Sequence, residues 1–383
     1  MKKHIAYKVE ISPTQEQIIK INKTMGVCKF IYNLYITKNK EKYEEDKSFI
    51  SAFSFSKWVN NEFIPNNPTY SWVKEVSSKA IKQSICNAET SFKKFFNRQT
   101  KFPRYKKKTD SVWIYLPKNN PTDCTIERHR VKIPTLGFVR LKEFGYIPLN
   151  SKVSSMTVTK QAHKYFVSVL CEVDDIAHVN NEYSEGIGVD LGIKDFAISS
   201  TNTTYKNINK TNKIKKLEKK LKREQRAFSR KLLKNKNKKG KDSNLKKNKL
   251  RVQKLHMQLS NTRKEYVRFV VNSLVKNSPQ FVAIEDLNVK GMMKNRHLSK
   301  AISQSNFYYF RVFLIQQCKK KGIEVRIIDR FYPSSKLCNC CGSIKKDLKL
   351  SDRIYKCDCG YVEDRDLNAS FNIRDCEKYK VAQ

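Results

Sequence analysis

No stretch of this 383-residue sequence holds an apolar run long enough to cross a bilayer as a helix, which takes ~20 residues. The opening MKKHIAYKVEIS also lacks the apolar core of a secretory signal. The expectation is therefore a soluble protein of the cytoplasm, with no membrane partner. Acidic residues are the other shortage: 36 Asp and Glu face 78 Lys and Arg, a formal balance of +42. A chain with that much self-repulsion calls for a polyanion, and nucleic acid is the first candidate. A disordered polycation is excluded, because 39% hydrophobic and 11% aromatic residues suffice for folded cores in two or three domains.

Of the 11 cysteines, Cys338, Cys340, Cys341, Cys357 and Cys359 crowd into one short segment and the others are scattered. In a reducing cytosol such a cluster favours a metal over disulfides, and zinc is the expected ion.

The start KHIAYKVEIS reads as a strand, followed by a helix that Ser12 can cap, with Pro13 in its first turn and Gln15 at the capping-box position. Helices are expected to about residue 98, the last with Ile81, Ile85, Ala88, Phe92 and Phe95 on one stripe. Directly after that stripe, Lys93, Lys94, Arg98, Lys101, Arg104 and Lys106 to Lys108 alternate with Phe95, Phe96, Phe102 and Tyr105. Cations that hold phosphates beside rings that stack on unpaired bases make this a nucleic-acid contact candidate; a solvated basic turn over buried rings is the alternative.

From about 111 to 175 the apolar period becomes two, with Tyr165, Val167, Val169, Cys171 and Val173 facing one way. This predicts a small antiparallel barrel or sandwich, completed by the N-terminal strand, with the helices inserted after its first strand. Near 183 an α/β layer begins: GIGVDLGIKDFAIS as two strands about a tight turn, PQFVAIEDLN as a buried strand, then a helix closed by Gly322, the strand IEVRIIDRF, and a last helix opened by DLNASFNI. Residues 206–250 carry 20 Lys and Arg against Glu218, Glu224 and Asp242. Ile214, Leu217, Leu221 and Phe228 form one helical stripe, and Val252, Leu255, Leu259 and Tyr266 another beyond Gly240, so a helical hairpin with a strongly basic outer face is expected.

Asp190 interrupts an apolar strand, Glu285 ends another, and Asp366 opens the last helix, where an N-cap role would also explain it. Three carboxylates gathered at one sheet edge would repel unless a cation neutralised them. Two divalent ions bridged by such groups cleave phosphodiesters, and Mg²⁺ suits an all-oxygen site. Asp195 reads as a turn residue, Asp286 faces away from Glu285 if the strand persists, and spacing alone leaves Asp364 and Asp366 unresolved.

With these residues in place the sequence resembles the TnpB family, transposon-encoded RNA-guided DNA endonucleases related to the type V CRISPR effectors. The matching stretches are GVDLGIKDFAIS, VAIEDLNVKGM, YPSSKLCNCCG and DRDLNASFNI, with weaker matches in YKVEISPTQEQ, GVCKFIYN and KFPRYKKK. The resemblance implies an α/β multidomain protein: a wedge β-barrel (1–11 and 99–178), a helical recognition domain inserted in it (12–98), and a RuvC-like nuclease of RNase H fold (183–332, with the basic hairpin at 206–275, closed by 362–383). A zinc-ribbon insert for target nucleic acid would occupy 333–361. It further implies a guide RNA from the transposon end, a double-stranded DNA target, one chain per RNA, and a short motif beside the target that the protein reads itself.

By the family motif the catalytic, Mg²⁺-holding set is Asp190, Glu285 and Asp366. The family commonly shows two C-x-x-C pairs, whereas here the second is shortened to Cys357-Asp358-Cys359. Zinc then falls to Cys338, Cys341, Cys357 and Cys359, with Cys340 able to replace one of them. A nuclease-inactive RNA-guided repressor, an RNase H-fold transposase and a zinc-ribbon regulator are the rival readings.

Overall fold

The computed structural model describes residues 2–107, 113–117, 123–149, 151–174, 184–235, 243–349 and 351–382. Lys108, Gly240 and Asp242 lie outside them. The chain divides into two compact units, Met1–Ile176 and Ala177–Gln383.

The first unit opens with strand β1 (Lys2–Ser12), then helices α1 (Gln15–Asp46), α2 (Ala52–Trp58), the short α3 (Ile64–Asn66) and α4 (Ser78–Phe96), and strands β2 (Ile114–Pro117), β3 (Arg130–Ile133), β4 (Gly137–Leu141), β5 (Lys152–Gln161) and β6 (Lys164–Asp174). Its antiparallel sheet has the order β2-β5-β6-β1-β4-β3, so the N-terminal strand lies inside the sheet and not at an edge. Alternation along β6 buries Tyr165, Val167, Val169 and Cys171, and both edge strands send side chains into that same core, Ile114 and Leu116 from β2 and Val131 and Ile133 from β3. The sheet therefore curls around one core. The helices build a second, aromatic core in which Phe92 packs with Tyr35 and Phe49, and Tyr35 in turn with Phe55.

The cap of α1 differs from the sequence expectation. Ser12 stays in β1, paired with Arg140 of β4. Thr14 is the cap instead: its hydroxyl accepts from the Gln17 amide (3.3 Å), and the Gln17 side chain accepts from the Thr14 amide (3.0 Å). The sheet holds Ser12, so the helix starts at the next hydroxyl residue able to leave it.

The second unit contains β7 (Ile187–Leu191), β8 (Asp195–Ser199), β9 (Thr203–Lys206), α5 (Asn212–Asn235), α6 (Ser243–Leu274), β10 (Phe281–Glu285), α7 (Val289–Met292), α8 (Ser299–Ser305), α9 (Phe307–Lys321), β11 (Glu324–Ile328), β12 (Ile354–Lys356), β13 (Val362–Asp364), α10 (Arg365–Arg374) and β14 (Tyr379–Val381). The main sheet runs β14-β11-β10-β7-β8-β9. Strand β8 runs antiparallel to both β7 and β9, while β10 runs parallel to both β7 and β11.

The sheet's two faces divide the strand residues by parity. Ile187, Val189, Val282 and Ile284 enter a core with α6 and α9. The opposite face takes Gly188 and Asp190 from β7, and Ala283 and Glu285 from β10. Helix α10 lies on that face, with Ile373 packed against Ala283 and Ile328. Gly188 is what lets it settle: a Cβ there would stand 2.0 Å from the Ser370 carbonyl oxygen and 2.5 Å from the Arg374 nitrogen. The helix closed by Gly322 takes that residue at φ 72°, a left-handed cap that glycine adopts at low cost.

Candidate functional site

The parallel register between β7 and β10 pairs Ile187 with Val282 and Val189 with Ile284. One residue further on, Asp190 and Glu285 come out side by side at the carboxyl ends of their strands, where an open α/β sheet offers its crevice. Helix α10 delivers Asp366 to the same place. Burial pushes the Asp190 carboxyl up to about 8, and the Glu285 and Asp366 charges push in the same direction. Burial also raises Glu285, against the hydrogen bond from Ser334. Asp366 is held by Arg365, whose guanidinium donates at 2.9 and 3.1 Å, and has Arg353 at 3.8 Å.

The neighbours of the three carboxylates now have their own places. Asp364 is the N-cap of α10, its carboxylate accepting from the Asp366 and Leu367 amides at 2.9 and 3.1 Å. The capping explanation that the sequence offered for Asp366 therefore belongs to Asp364, and Asp366 is free of it. Asp286 is clamped by Arg311 and Arg330, each at 2.6 Å, which hold its carboxyl below the usual range. Asp195 opens β8.

Cys338, Cys341, Cys357 and Cys359 meet, all four sulfurs within 4.8 Å of one another. Among the described residues this is the only His, Cys, Asp or Glu group so tightly gathered. The 3.7 Å between Cys338 and Cys359 and 3.6 Å between Cys341 and Cys357 exclude disulfides. They match the edge of a ZnS₄ tetrahedron, about 3.8 Å for Zn–S bonds of ~2.3 Å. The cluster is thus able to bind a structural zinc. Cys340, exposed, is outside the group. The shortened second pair sits on the turn between β12 and β13, where Gly360 at φ 88° completes the bend.

Sequence reasoning passed over Ser343, whose hydroxyl lies 3.1 Å from the Cys341 sulfur and 3.2 Å from that of Cys357. That contact is the main cause that draws the Cys357 thiol down to about 6. Sequence reasoning also passed over the buried Asn368 and Asn372 on α10. Their side-chain amides donate to the Leu337 carbonyl at 2.8 and 2.7 Å, which fixes the root of the cysteine segment to the helix that carries Asp366.

In the first unit, Lys93, Lys94, Arg98, Lys101, Arg104 and Lys107 are exposed and Lys106 is half-buried. Lys93 pairs with Glu89 at 3.0 Å, and the Lys106 ammonium stands 5.1 Å from the Tyr32 ring centroid. Phe96, Phe102 and Tyr105 keep about half their surface exposed, while Phe95 and Phe102 pack edge to face. The segment thus combines both sequence readings, rings anchored in the core with exposed edges among exposed cations. In the second unit, α5 packs along α6, and an open groove of about 940 Å³ between α5, α6 and α8 is lined by Lys215, Lys219, Lys222, Arg263 and Lys300.

Three family models match the chain: "Probable transposase" at residues 168–296, "Cas12f1-like, TNB domain" at 307–373, and "Helix-turn-helix domain" at 1–48. The first takes in Asp190 and Glu285, the second Asp366 and all four clustered cysteines. In place of a helix-turn-helix, residues 2–46 form one strand and one uninterrupted helix. A Streptomyces pristinaespiralis protein that bears the provisional name RNA-guided DNA endonuclease is 30% identical over 376 residues, covering 96% of this chain and 88% of its own. A similarly named protein of Escherichia coli (strain K12) is 28% identical over 389 residues, covering 97% and 92%. The chain of a cryo-EM Cas12f1-sgRNA-target DNA complex shares the fold at a TM-score of 0.62 and 12% identity, over 99% of both chains. The fold is that of the α/β multidomain Cas12f-like proteins. Within that class, the chain belongs to the TnpB family.

Proposed function

We propose that this chain is an RNA-guided DNA endonuclease of a transposable element, cutting guide-complementary double-stranded DNA beside a short motif that the protein itself reads. The observation that carries the reading is the convergence of Asp190, Glu285 and Asp366, far apart in sequence, at one end of the second unit's sheet.

The strand order, with three antiparallel strands followed by two parallel ones and α10 against one face, supports a RuvC-like nuclease of RNase H fold. In the first unit, the curled sheet supports the wedge domain and the helices of 12–98 the recognition domain. The cysteine segment 333–361 is the zinc-bearing insert, with Cys338, Cys341, Cys357 and Cys359 as ligands.

Asp190, Glu285 and Asp366 would hold Mg²⁺, because the donors are all oxygen and Asp190 resists ionisation without a nearby cation. When bound, paired ions supply water activation and stabilise the leaving oxygen of an in-line displacement. The protein's part is to fix the carboxylates on two rigid strands and a helix, so that little geometry is left to chance. The exposed cations of α5 and the 93–107 segment would grip nucleic-acid backbones without reading sequence, leaving sequence to the guide. We assign the guide RNA to the transposon end, with one chain per RNA, acting in the cytoplasm at the nucleoid.

The test is to purify the protein with its RNA, sequence that RNA, and offer matching duplex DNA with Mg²⁺. Cleavage that depends on guide complementarity, and is lost in Asp190→Ala while RNA-dependent binding persists, is the expected result. Absence of copurifying RNA, with strands joined to new ends in place of cut ones, would move the protein to the transposase reading.

A further inference from the structure

Glu285 ends its strand, and nothing in β10 itself fixes the direction of its carboxylate. The fixing group comes from elsewhere. The Ser334 hydroxyl donates to Glu285 Oε1 at 2.5 Å, and Ser334 is buried. Its place is set in turn from both sides. The Ser334 amide donates to the Tyr332 carbonyl at 2.8 Å, and its own carbonyl accepts from the Asn372 side chain at 2.7 Å.

Asn372 is buried on α10, six residues past Asp366. Its amide also donates to the Leu337 carbonyl (2.7 Å), and its oxygen accepts from the Asn339 side chain (3.2 Å). Two carboxylates of the proposed site are thus joined through one hydrogen-bonded chain: Glu285, Ser334, Asn372 and the helix that bears Asp366. The same chain ends one residue short of Cys338.

We propose that Ser334 is a positioning residue, which holds the Glu285 carboxylate beside Asp190 in the orientation that receives the divalent ion, with Asn372 holding Ser334 in turn. The inference rests on the reading of Asp190, Glu285 and Asp366 as the metal-holding set. Outer hydrogen-bond partners of metal ligands fix ligand geometry, and their loss costs roughly 10–100-fold in affinity or activity. In this role the buried Ser334 acts through the carboxylate it orients. Its removal should therefore weaken metal occupancy and leave nucleic-acid binding alone.

The experiment compares Ser334→Ala, Ser334→Thr and Asp190→Ala in the full chain purified with its RNA. Two readouts are taken: the Mg²⁺ concentration for half-maximal DNA cleavage, and Fe²⁺-driven hydroxyl-radical scission of the polypeptide near residues 190 and 285, which requires bound metal but no DNA cleavage. In Ser334→Ala the half-saturating Mg²⁺ concentration should rise about 10–100-fold and local scission should fall. Ser334→Thr, which keeps the hydroxyl, should recover most of both. RNA-dependent DNA binding and the metal content of the cysteine cluster should match the parent.

Parental Mg²⁺ dependence and scission in Ser334→Ala, with Asp190→Ala inactive, would overturn the role of Ser334 alone. A Ser334→Ala loss that tracks lost DNA binding or lost cysteine-bound metal would also overturn it, since that marks a folding role. Cleavage and scission that survive in Asp190→Ala would bring down the metal-site reading, and this inference with it.

Discussion

Asp190 and Glu285 stand next to each other across two parallel strands, one residue beyond the Val189–Ile284 pair and on the face that α10 covers. Neighbouring strands lie about 4.8 Å apart, so two carboxylates there share one electrostatic environment. Burial first, and then the opposing charges of Glu285 and Asp366, push the Asp190 carboxyl up to about 8. Asp190→Asn should abolish Mg²⁺-dependent cleavage, a larger loss than the roughly 10–100-fold that removing an outer partner of a metal ligand costs. It should also raise thermal stability at neutral pH with Mg²⁺ omitted, because the neutral amide escapes the cost of burying a carboxyl beside two others. A cleavage assay beside a melting curve checks both, and a variant that is less stable than the parent would contradict the second.

Gly188→Ala tests the seat of α10. The added methyl would meet backbone atoms of Ser370 and Arg374, neither of which is a flexible side chain that can swing away. The helix must move, and Asp366 moves with it. A melting temperature lower by several degrees is expected, about 2–4 °C per kcal/mol for a domain of this size. Cleavage should fall even at temperatures where the variant remains folded. Parental activity in a folded Gly188→Ala protein would show that Asp366 does not depend on this contact.

The cysteine cluster predicts metal content. Purified protein should carry one zinc per chain by elemental analysis. Cys341→Ser and Cys357→Ser should lose it, while Cys340→Ser should keep it, because Cys340 lies outside the group of four. Ser343→Ala should weaken zinc retention against a chelator at mildly acidic pH, since the hydroxyl is the main cause of the low Cys357 value. Zinc that follows Cys340 would reverse the ligand assignment.

Glu89 supplies a pH-dependent stability term in the first unit. Its carboxylate accepts from the Ala52 amide at the start of α2 (3.0 Å) and pairs with Lys93, and its carboxyl is held below the usual value by that amide first. A lowered folded-state value gives stability that is present above the unfolded value and is lost as pH falls through the folded one. Glu89→Gln should therefore cost about 1 kcal/mol at pH 7 and progressively less below pH ~4. Denaturant midpoints across that range measure it, and a difference independent of pH would exclude the carboxylate as its source.

The basic helix α5 predicts a salt dependence. Lys216, Lys219, Lys220 and Lys222 are exposed along it. Changing all four to Gln should weaken RNA binding and flatten the slope of log K against log salt by about 3, at roughly 0.7–0.9 per phosphate contact. An unchanged slope would mean that this face does not meet the nucleic acid.

Much of the architecture was legible along the chain. Period-two alternation marked β5 and β6, the stripe from Ile81 to Phe95 marked α4, and Gly322 marked the end of α9. An acid inside the apolar run GVDLG singled out Asp190 for the same reason: burying a charge is costly, so its presence needs a cause. These signals are local, because helix and strand periods and the cost of a buried carboxylate act over a few residues.

The remaining choices required contacts between distant segments. The cap of α1 passed from Ser12 to Thr14 because β4 keeps Ser12 in the sheet. Asp364 and Asp366, equivalent by spacing, separated once α10 seated against the sheet, which put the Asp366 charge near Asp190 and left Asp364 to cap the helix. Cys340 and Cys341 separated only when the β12–β13 turn brought two more sulfurs to Cys341's side. Ser334 had no local signal, since its meaning lies in a hydrogen bond to a residue 49 positions away. Sequence alone thus determined which residues were chemically costly to place, because that cost is paid where each residue stands. Only the tertiary structure decided which partners justify it, because strand register and helix seating act between segments that the chain itself keeps apart.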